Sequence, residues 1–531
     1  MRVMTLALAA LMVALAAPPS HAFDRSNIPL KNWGGFSLYR EAVYDDLERL
    51  VTAGLAERAV INTKPINRMA AARIVARALD SIRRDSAGAY NGRRDLEAVL
   101  DRLMDEFRPE LAALGVSLPG EAAKAPGFVS FIPVDRAQAR AGAASHHFSF
   151  PNSQGLRFED GLNGGLTFDS RLQVGDFLTF YVQPEMLIND EFGAARLLTG
   201  YAKLTLFNVE LLVGRENLWW GPGIHGSLIL SNNARPLDQV RVGGAEPFLL
   251  PLVGEWVGPT NMFFFVAQLE EQRDHPRAKL AGMRATVTPF SFLELGISRV
   301  VMFNGDGGDQ LNFADSLRVI FYPPAGDDRT EEGKFRSNNL FSVDADLRLA
   351  NVDRWGLPAK DMRVYGEFGW DDTCCDSSFI PLKGALSFLV GVHWIGLFGD
   401  EGLEVRTEYA QTSTLTYSHD QFRSGYSTRG EVIGHHIGTD GQEFYTRLSK
   451  RFDRDLMIGV EINRAEAGAT TSREGTKERT LAGALDASYR FANVYSIFGQ
   501  YRIAHVENRN FRAHDDGWDH VLRVELTRSF R

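Results

Sequence analysis

The strongest constraint on the fold is a two-residue alternation of apolar and polar side chains that recurs through the later two-thirds of the chain. It is clearest over residues 341–349, 403–409, 456–463, 495–503 and 522–530. A strand with one apolar and one charged face needs an apolar medium on one side and a polar environment on the other. A transmembrane barrel has its apolar face outside, whereas a soluble β-sandwich has it inside. The alternation alone leaves both arrangements open.

The N-terminus favours the membrane. Met1-Arg2 precedes an apolar run from Val3 to Ala17, and Ser20-His21-Ala22 places small residues where a signal peptidase cuts. This pattern predicts a secretory signal peptide over residues 1–22. No later apolar run approaches the roughly 20 residues that a membrane helix requires. An exported chain with these strands, and with Phe530 near its end, is predicted to form a β-barrel in an outer membrane.

The spacing of the turns gives a strand count. Counting back from the last strand, the long connections fall on one side of the barrel, which is predicted to be the outside: 188–194, 215–237, 272–277, 303–338, 371–382, 413–439, 465–477 and 505–518. The connections on the other, periplasmic side are short, apart from those near 248–257 and 350–360. The fold prediction is therefore a mainly β protein, with an antiparallel transmembrane barrel of about 18 strands over residues 146–531.

A helical period precedes the strands. Residues 23–115 are predicted to form a bundle of about three helices, with Pro109 kinking or breaking the third. Such short amphipathic helices bury their apolar stripes against one another or against a neighbouring surface. They would form either an independent adaptor domain or a cap on the barrel mouth. Residues 116–145, rich in Ala, Gly and Pro, are assigned to a connector.

Two loops carry unusual composition. In the first, Trp219-Trp220-Gly221-Pro222-Gly223 is followed by Ser227-Leu228-Ile229-Leu230-Ser231-Asn232-Asn233-Ala234-Arg235-Pro236. Aromatic faces beside amide and guanidinium donors suit a sugar, although a tryptophan pair also suits a membrane interface. The second loop runs from Tyr417-Ser418-His419 to Gly438-Thr439-Asp440 and adds further aromatic rings, arginines and histidines.

Together these two motifs resemble the Wzi family of outer-membrane capsule-assembly proteins. The resemblance implies the same strand count and a helical bundle on the periplasmic side. It also implies a role in capsule or exopolysaccharide assembly, in which the protein binds the polymer without a covalent bond and attaches it to the cell surface. The implied partners are capsular polysaccharide or exopolysaccharide, outer-membrane lipid, and other polysaccharide export proteins.

The candidate polysaccharide-binding residues come from both loops. They are Trp219, Trp220, Asn232, Asn233, Arg235, Tyr417, His419, Arg423, Tyr426, Arg429 and His435. The apolar run Leu228–Leu230 indicates that the first loop folds into the lumen. A structural role is therefore favoured for Trp219, Asn232, Asn233 and Arg235.

Several other functions find little support. A formal charge of −9 argues against nucleic-acid binding, and no catalytic signature is present, so the chain is predicted not to be an enzyme. No cofactor is predicted. Adjacent side chains such as His435 and His436 do not usually converge on one metal, and Asp306-Gly307-Gly308-Asp309 lacks the further carboxylates of a calcium loop, so no metal is predicted. The adjacent Cys374 and Cys375 remain open between a strained disulfide, free thiols and pairing between chains.

The predicted lumen carries both signs of charge, which leaves two alternatives. The charges would either fill the interior as a cross-strand ion-pair network, which is favoured, or line a hydrated path. A transport pore is therefore the main rival function, and an enzyme that trims polysaccharide is the third. The lumen residues are Asp344, Asp346, Arg348, Arg363, Glu367, Glu404, Arg406, Glu408, Glu443, Arg447, Glu461, Asp486, Arg490 and Arg523.

Overall fold

The computed structural model describes most of the chain. The described residues are 24–30, 42–84, 93–118, 127–189, 193–308, 310–321, 337–371, 386–419, 422–468, 476–492 and 494–530. The predicted signal peptide, Asp309 and the Cys374–Cys375 pair lie outside these ranges.

Within the described residues, eighteen antiparallel strands close into one barrel, as the sequence predicted. The strands are β1 Val129–Ala144, β2 Gly161–Val174, β3 Leu178–Asn189, β4 Gly193–Leu206, β5 Val209–Glu216, β6 Leu237–Gly244, β7 Thr260–Gln268, β8 Lys279–Phe290, β9 Leu293–Phe303, β10 Ser337–Leu349, β11 Asp361–Asp371, β12 Leu386–Ile395, β13 Leu403–Gln411, β14 Gly441–Arg451, β15 Leu456–Ala467, β16 Glu478–Phe491, β17 Tyr495–Glu507 and β18 Gly517–Ser529. Each strand pairs with its neighbours in sequence, and β1 pairs with β18 to close the ring.

The position of β1 corrects the predicted domain boundary. Residues 116–145 were assigned to a connector, but Val129–Ala144 is the first barrel strand. Its outward positions in the second half are small residues such as Ala139 and Ala141, while Gln138 and Arg140 point inward and are buried. Alanine gives a weak apolar alternation, which is why the sequence pattern did not reveal this strand.

The two ends of the barrel differ in their connections. At the long-loop end, residues 145–160, 217–236, 304–336 and 412–440 form the longest links. The other end, called the short-turn end, has brief turns except at 245–259 and 350–360. The predicted sorting of loop lengths is therefore correct. The structure adds loop 145–160, which follows the strand that the sequence missed.

The outer wall of the barrel is apolar. Exposed large side chains recur at alternate strand positions, as in Val460 and Ile462, or Leu522, Val524 and Leu526. Exposed aromatic and apolar residues also crowd the short-turn end: Phe207, Leu252, Trp256, Trp355, Phe398 and Phe452. An apolar band edged by aromatic rings is the surface of a barrel that spans a membrane. Among the described residues, no helix has the length and apolar character to cross a membrane.

The helices lie before and between the strands. The first four are α1 Val43–Thr52, α2 Arg68–Arg84, α3 Arg94–Glu106 and α4 Arg108–Ala113, and two more, α5 Gly254–Val257 and α6 Phe313–Phe321, lie in barrel connections. Pro109 lies in the first turn of α4, so the predicted third helix is broken there. Residues 42–84 and 93–118, called the helical segment, bury a shared core that includes Leu47, Leu50, Val75, Val99 and Leu103.

The helical segment docks into the short-turn end of the barrel instead of standing apart. Arg49 on α1 lies 3.2 Å from Glu404 on β13, and Glu48 lies 2.9 Å from Arg363 on β11. Burial opposes ionisation of Glu48, but Arg363 and Arg406 outweigh it and hold its pKa well below the usual range. These pairs are fully enclosed, so the helices and the wall neutralise each other's charges.

The predicted ion-pair network is also present within the wall. Arg284 lies 2.7 Å from Asp344, and Arg447 lies 2.6 Å from both Asp486 and Glu461. Every charged lumen residue predicted from the sequence is buried. Of the two alternatives for the charged interior, the structure therefore shows the ion-pair network.

Candidate functional site

Residues 217–236, here called the inner loop, fold back into the lumen. Two carboxylates on the wall accept hydrogen bonds from the loop's backbone. Glu408 on β13 accepts from the amides of Ile224 (2.5 Å) and His225 (2.9 Å), and Glu367 on β11 accepts from the amide of Leu228 (2.9 Å). Buried carboxylates satisfied in this way fix the loop at a defined depth.

The inner loop meets the helical segment inside the barrel. Thr63 and Lys64 pair antiparallel with Trp220 and Trp219, and the amide of Gly221 donates to the carbonyl of Asn62 (3.0 Å). Polypeptide from the short-turn end and polypeptide from the long-loop end therefore join in one small sheet. Thr63 and the two tryptophans are buried, so this junction lies inside the barrel.

Residues 412–440, called the covering loop, lie on top of the inner loop. The hydroxyls of Tyr417 and Tyr426 donate to the carbonyls of Leu228 (2.6 Å) and Ile229 (2.9 Å). The approach is close at Gly226, where an added Cβ would clash with the His435 ring. The two family-like motifs of the sequence thus pack against each other.

Most of the candidate residues are buried by this packing. The buried ones are Trp219, Trp220, Asn232, Asn233, Tyr417, Tyr426 and His435. Trp220 is 1% exposed and packs edge-on against Phe265, with ring centres 5.5 Å apart. Burial, with the charges of Glu367 and Asp371, raises the pKa of Tyr417 far above the usual range, since both disfavour the phenolate. These seven side chains are enclosed by the packed loops.

The remaining four candidates reach the surface. Arg423 and Arg429 are exposed, and Arg235 and His419 are half-buried. They lie at the long-loop end, where the covering loop and loop 145–160 surround the mouth of the barrel. The structure therefore separates the candidates into a buried set that packs and a smaller set that is accessible.

Two arginines that the sequence did not single out join the accessible set. Arg157, Arg196, Arg235 and Arg429 form what we call the arginine cluster. Burial, with the charges of Arg196, Arg429 and Arg157, lowers the pKa of Arg235 to about 10. That value is far above neutral, so the Arg235 guanidinium is charged at pH 7.

The cluster holds more positive than negative charge. Arg157 lies 2.5 Å from Glu431, and Arg196 lies 2.5 Å from Glu185. Among the described residues, four guanidinium groups thus share two carboxylates. An electropositive patch with planar, forked donors suits carboxylate or phosphate groups on a ligand. Arginines on separate segments with no regular spacing leave no pattern in a sequence, so only Arg235 and Arg429 were found, through their motifs.

One group of side chains could hold a metal ion. His225 of the inner loop, His436 of the covering loop and Glu443 of β14 place one donor atom each within 4.8 Å of the others. The sequence analysis considered His436 only with its neighbour His435. The donors come from three separate segments, so no spacing in the chain reveals them.

Comparisons with known proteins agree with this architecture. The solved structure of Wzi from Escherichia coli, an outer-membrane protein involved in group 1 capsule assembly and a carbohydrate-binding β-barrel, is 19% identical, with a TM-score of 0.68. The match covers 94% of this chain and all of that one, and it shows the fold. The solved structure of OccD3 (OpdP) from Pseudomonas aeruginosa is 11% identical over 79% of this chain and 98% of its own, with a TM-score of 0.43.

Sequence comparison identifies the family. A 55.8 kDa protein in the cps region of Klebsiella pneumoniae is 30% identical over 217 residues, which is 40% of this chain and 40% of that relative. The match therefore spans well under half of either protein. Residues 134–520 match the family model described as capsule assembly protein Wzi. The chain belongs to the Wzi family of capsule assembly proteins.

Proposed function

We propose that this protein binds an acidic capsular polysaccharide or exopolysaccharide non-covalently at the long-loop end of the barrel and so attaches it to the cell surface. The observation that carries the proposal is the arginine cluster, with four guanidinium groups and two paired carboxylates among the described residues. Uronic acid or other anionic groups on a polymer would supply the missing negative charge. Many weak contacts along a chain sum to firm retention.

Membership of the Wzi family supports the same function, because the relative from Escherichia coli is a carbohydrate-binding barrel. On this proposal the long-loop end faces outward and the helical segment lies in the periplasm. Residues 1–22 would be removed as a signal peptide, and the apolar wall would contact outer-membrane lipid. Other polysaccharide export proteins would deliver the polymer. The protein would act as a binding protein and not as an enzyme.

The buried junction between the helical segment and the inner loop favours a binding function over a transport function. Thr63 and Lys64 pair with the tryptophans of the inner loop, and the enclosed charges of the helices are matched by the wall. A polymer or solute would have to displace this packed junction to pass through. A surface that binds the polymer needs no such opening.

The test compares two variants in a capsulated host that lacks its own copy. Arg157→Ala with Arg429→Ala removes half of the arginine cluster from exposed or partly exposed positions. Arg512→Ala removes an exposed arginine from a different long-loop-end connection and is the matched control. We expect the double variant to assemble a heat-modifiable barrel yet release polymer into the medium, whereas Arg512→Ala retains it. Normal retention by the double variant would refute the arginine cluster as the binding surface.

A binding measurement tests whether the acidic groups of the polymer are what the protein recognises. Purified protein is titrated with the host's own polymer and with the same polymer after its carboxyl groups have been reduced. We expect binding to weaken as salt rises and to be lost on carboxyl reduction, because exposed charges are screened. Equal binding to both polymers would contradict recognition through acidic groups.

A further inference from the structure

His225, His436 and Glu443 converge at the place where the inner loop, the covering loop and the barrel wall meet. The Nε2 atom of His436 lies 3.0 Å from Glu443, and that of His225 lies 3.4 Å from the same carboxylate. The two imidazole rings stand at 86° to each other, with centres 4.8 Å apart. The Nε2 atoms of both rings thus lie beside the one carboxylate.

We propose that these three side chains bind one Zn²⁺ ion, which joins the two loops to β14. Two imidazole nitrogens and one carboxylate are a ligand set that zinc adopts, with a fourth position left for another donor. Donor atoms around a tetrahedral zinc with bonds of about 2.1 Å lie roughly 3.4 Å apart. The donor distances from Glu443 to the two histidines are 3.4 and 3.0 Å, and all three donor atoms lie within 4.8 Å of one another, so a small inward movement of the two rings would complete the site.

Two neighbouring side chains complete the site: Asn463 supplies a fourth donor, and Tyr445 holds the His225 ring in place. The side-chain amide nitrogen of Asn463 lies 3.1 Å from His225 Nε2 and 2.6 Å from Glu443, while its Oδ1 atom is buried and has no hydrogen-bond partner among the described residues. Because the two ends of an amide are interchangeable in shape, a flip turns this oxygen toward the ion. Tyr445 stacks on His225 with centres 3.8 Å apart and fixes the ring.

The three side chains also lie beside a cavity. A cavity lined by His225, Asn463, Tyr445, Gln500 and Arg502 adjoins the cluster. It gives an ion a route to the ligands and room for a water as an alternative fourth donor. Hard cations such as Ca²⁺ and Mg²⁺ prefer more oxygen ligands than this site offers, so the geometry favours zinc.

The consequence would be structural. Zinc would tie the inner loop and the covering loop to the wall through one shared centre, so binding would stabilise the folded barrel by mass action. The proposal does not depend on polysaccharide binding, because none of the three ligands belongs to the arginine cluster. A failure of either proposal leaves the other standing.

The test uses untagged, full-length protein in detergent, stripped with EDTA and titrated with Zn²⁺ by calorimetry. We expect one equivalent of zinc to bind and the melting temperature to rise. His436→Ala and Glu443→Gln should each weaken binding by more than about 100-fold, because loss of a direct ligand exceeds the 10- to 100-fold effect of losing an outer partner. His514→Ala removes an exposed histidine and should match the parent protein.

A spectroscopic measurement provides the second readout. Co²⁺ added to the stripped protein should give the intense visible absorption of a four-coordinate ion, and the band should disappear in His436→Ala. Absence of stoichiometric zinc binding by the parent protein, or undiminished binding by His436→Ala, would overturn the proposal. Since His436 is half-buried on a loop, this variant keeps the test valid even if Glu443→Gln fails to fold.

Discussion

Lys64 of the helical segment pairs with Trp219 of the inner loop, and its ammonium lies 5.8 Å from the centre of the Trp219 ring. The same ammonium lies 5.4 Å from the ring of Tyr44. A cation between two aromatic faces adds an attraction to the backbone pairing. This contact holds together the two pieces of chain that fill the lumen.

Loss of the Trp219 ring should weaken the packing between the helical segment and the inner loop. We expect Trp219→Ala to raise conductance in planar bilayers above a low parent level, because a buried ring at the junction is replaced by space. Trp256→Ala, at an exposed site on α5, is the control and should conduct like the parent. Identical conductance in the Trp219 variant and the parent would mean that this junction does not seal the barrel.

The buried pair between Arg49 and Glu404 should contribute strongly to stability. Removing one partner of an enclosed ion pair leaves an uncompensated charge, so we expect Arg49→Met to lower the free energy of unfolding by about 3 kcal/mol or more. Arg454 pairs with Asp105 at the same end of the barrel but is partly exposed. Arg454→Met should therefore cost only about 0–1 kcal/mol. Denaturant unfolding in detergent measures both, and equal losses would contradict the assigned burial.

Close packing between the loops predicts the effect of one methyl group. In Gly226→Ala the new Cβ would clash with the His435 ring, so one of the loops must shift. We expect a loss of about 1–3 kcal/mol, the usual cost of overpacking. Gly193→Ala meets nothing within 4 Å and serves as the control. A melting temperature unchanged by Gly226→Ala would show that the loops are not in tight contact.

Removing a carboxylate from the arginine cluster should raise the affinity for the acidic polymer, whereas removing an arginine should lower it. Glu431 pairs with Arg157, so Glu431→Gln frees that guanidinium group for the polymer. We expect affinity for the acidic polymer to rise by a few-fold, since a partly exposed pair contributes about 0.2–1 kcal/mol. Glu466→Gln, whose partners are Arg464 and Arg479, is the control in calorimetric titrations. Weaker binding by the Glu431 variant would count against the cluster.

The sequence was sufficient for the barrel wherever side chains alternate clearly. Strands such as Leu456–Ala467 carry apolar residues outward and charged or small residues inward, which fixes both the strand and its facing. It failed at Val129–Ala144, where alanines replace larger apolar residues on the outer face. Helix content and the break at Pro109 followed from periodicity and from the missing amide of proline.

The candidate site was harder to predict. In the sequence, Trp219 and Trp220 resemble an exposed sugar-binding surface. In the structure, Glu367 and Glu408 accept hydrogen bonds from the backbone of the surrounding loop and hold it inside the barrel. Those carboxylates lie more than a hundred residues from the loop, so no local pattern reveals the contact. Arg157 and Arg196 were missed for the same reason, because only the closed ring of strands brings them beside Arg235.

The seam between β1 and β18 imposes an order on biogenesis. The helical segment precedes β1 in the chain, and β18 follows the other barrel strands, so the ring can close only after β18 has been made. Once hydrogen bonds encircle the lumen, α1 and its charged partners no longer have a sideways entrance. We therefore expect the helical segment, with Arg49 and Glu48, to take its place before β1 and β18 pair.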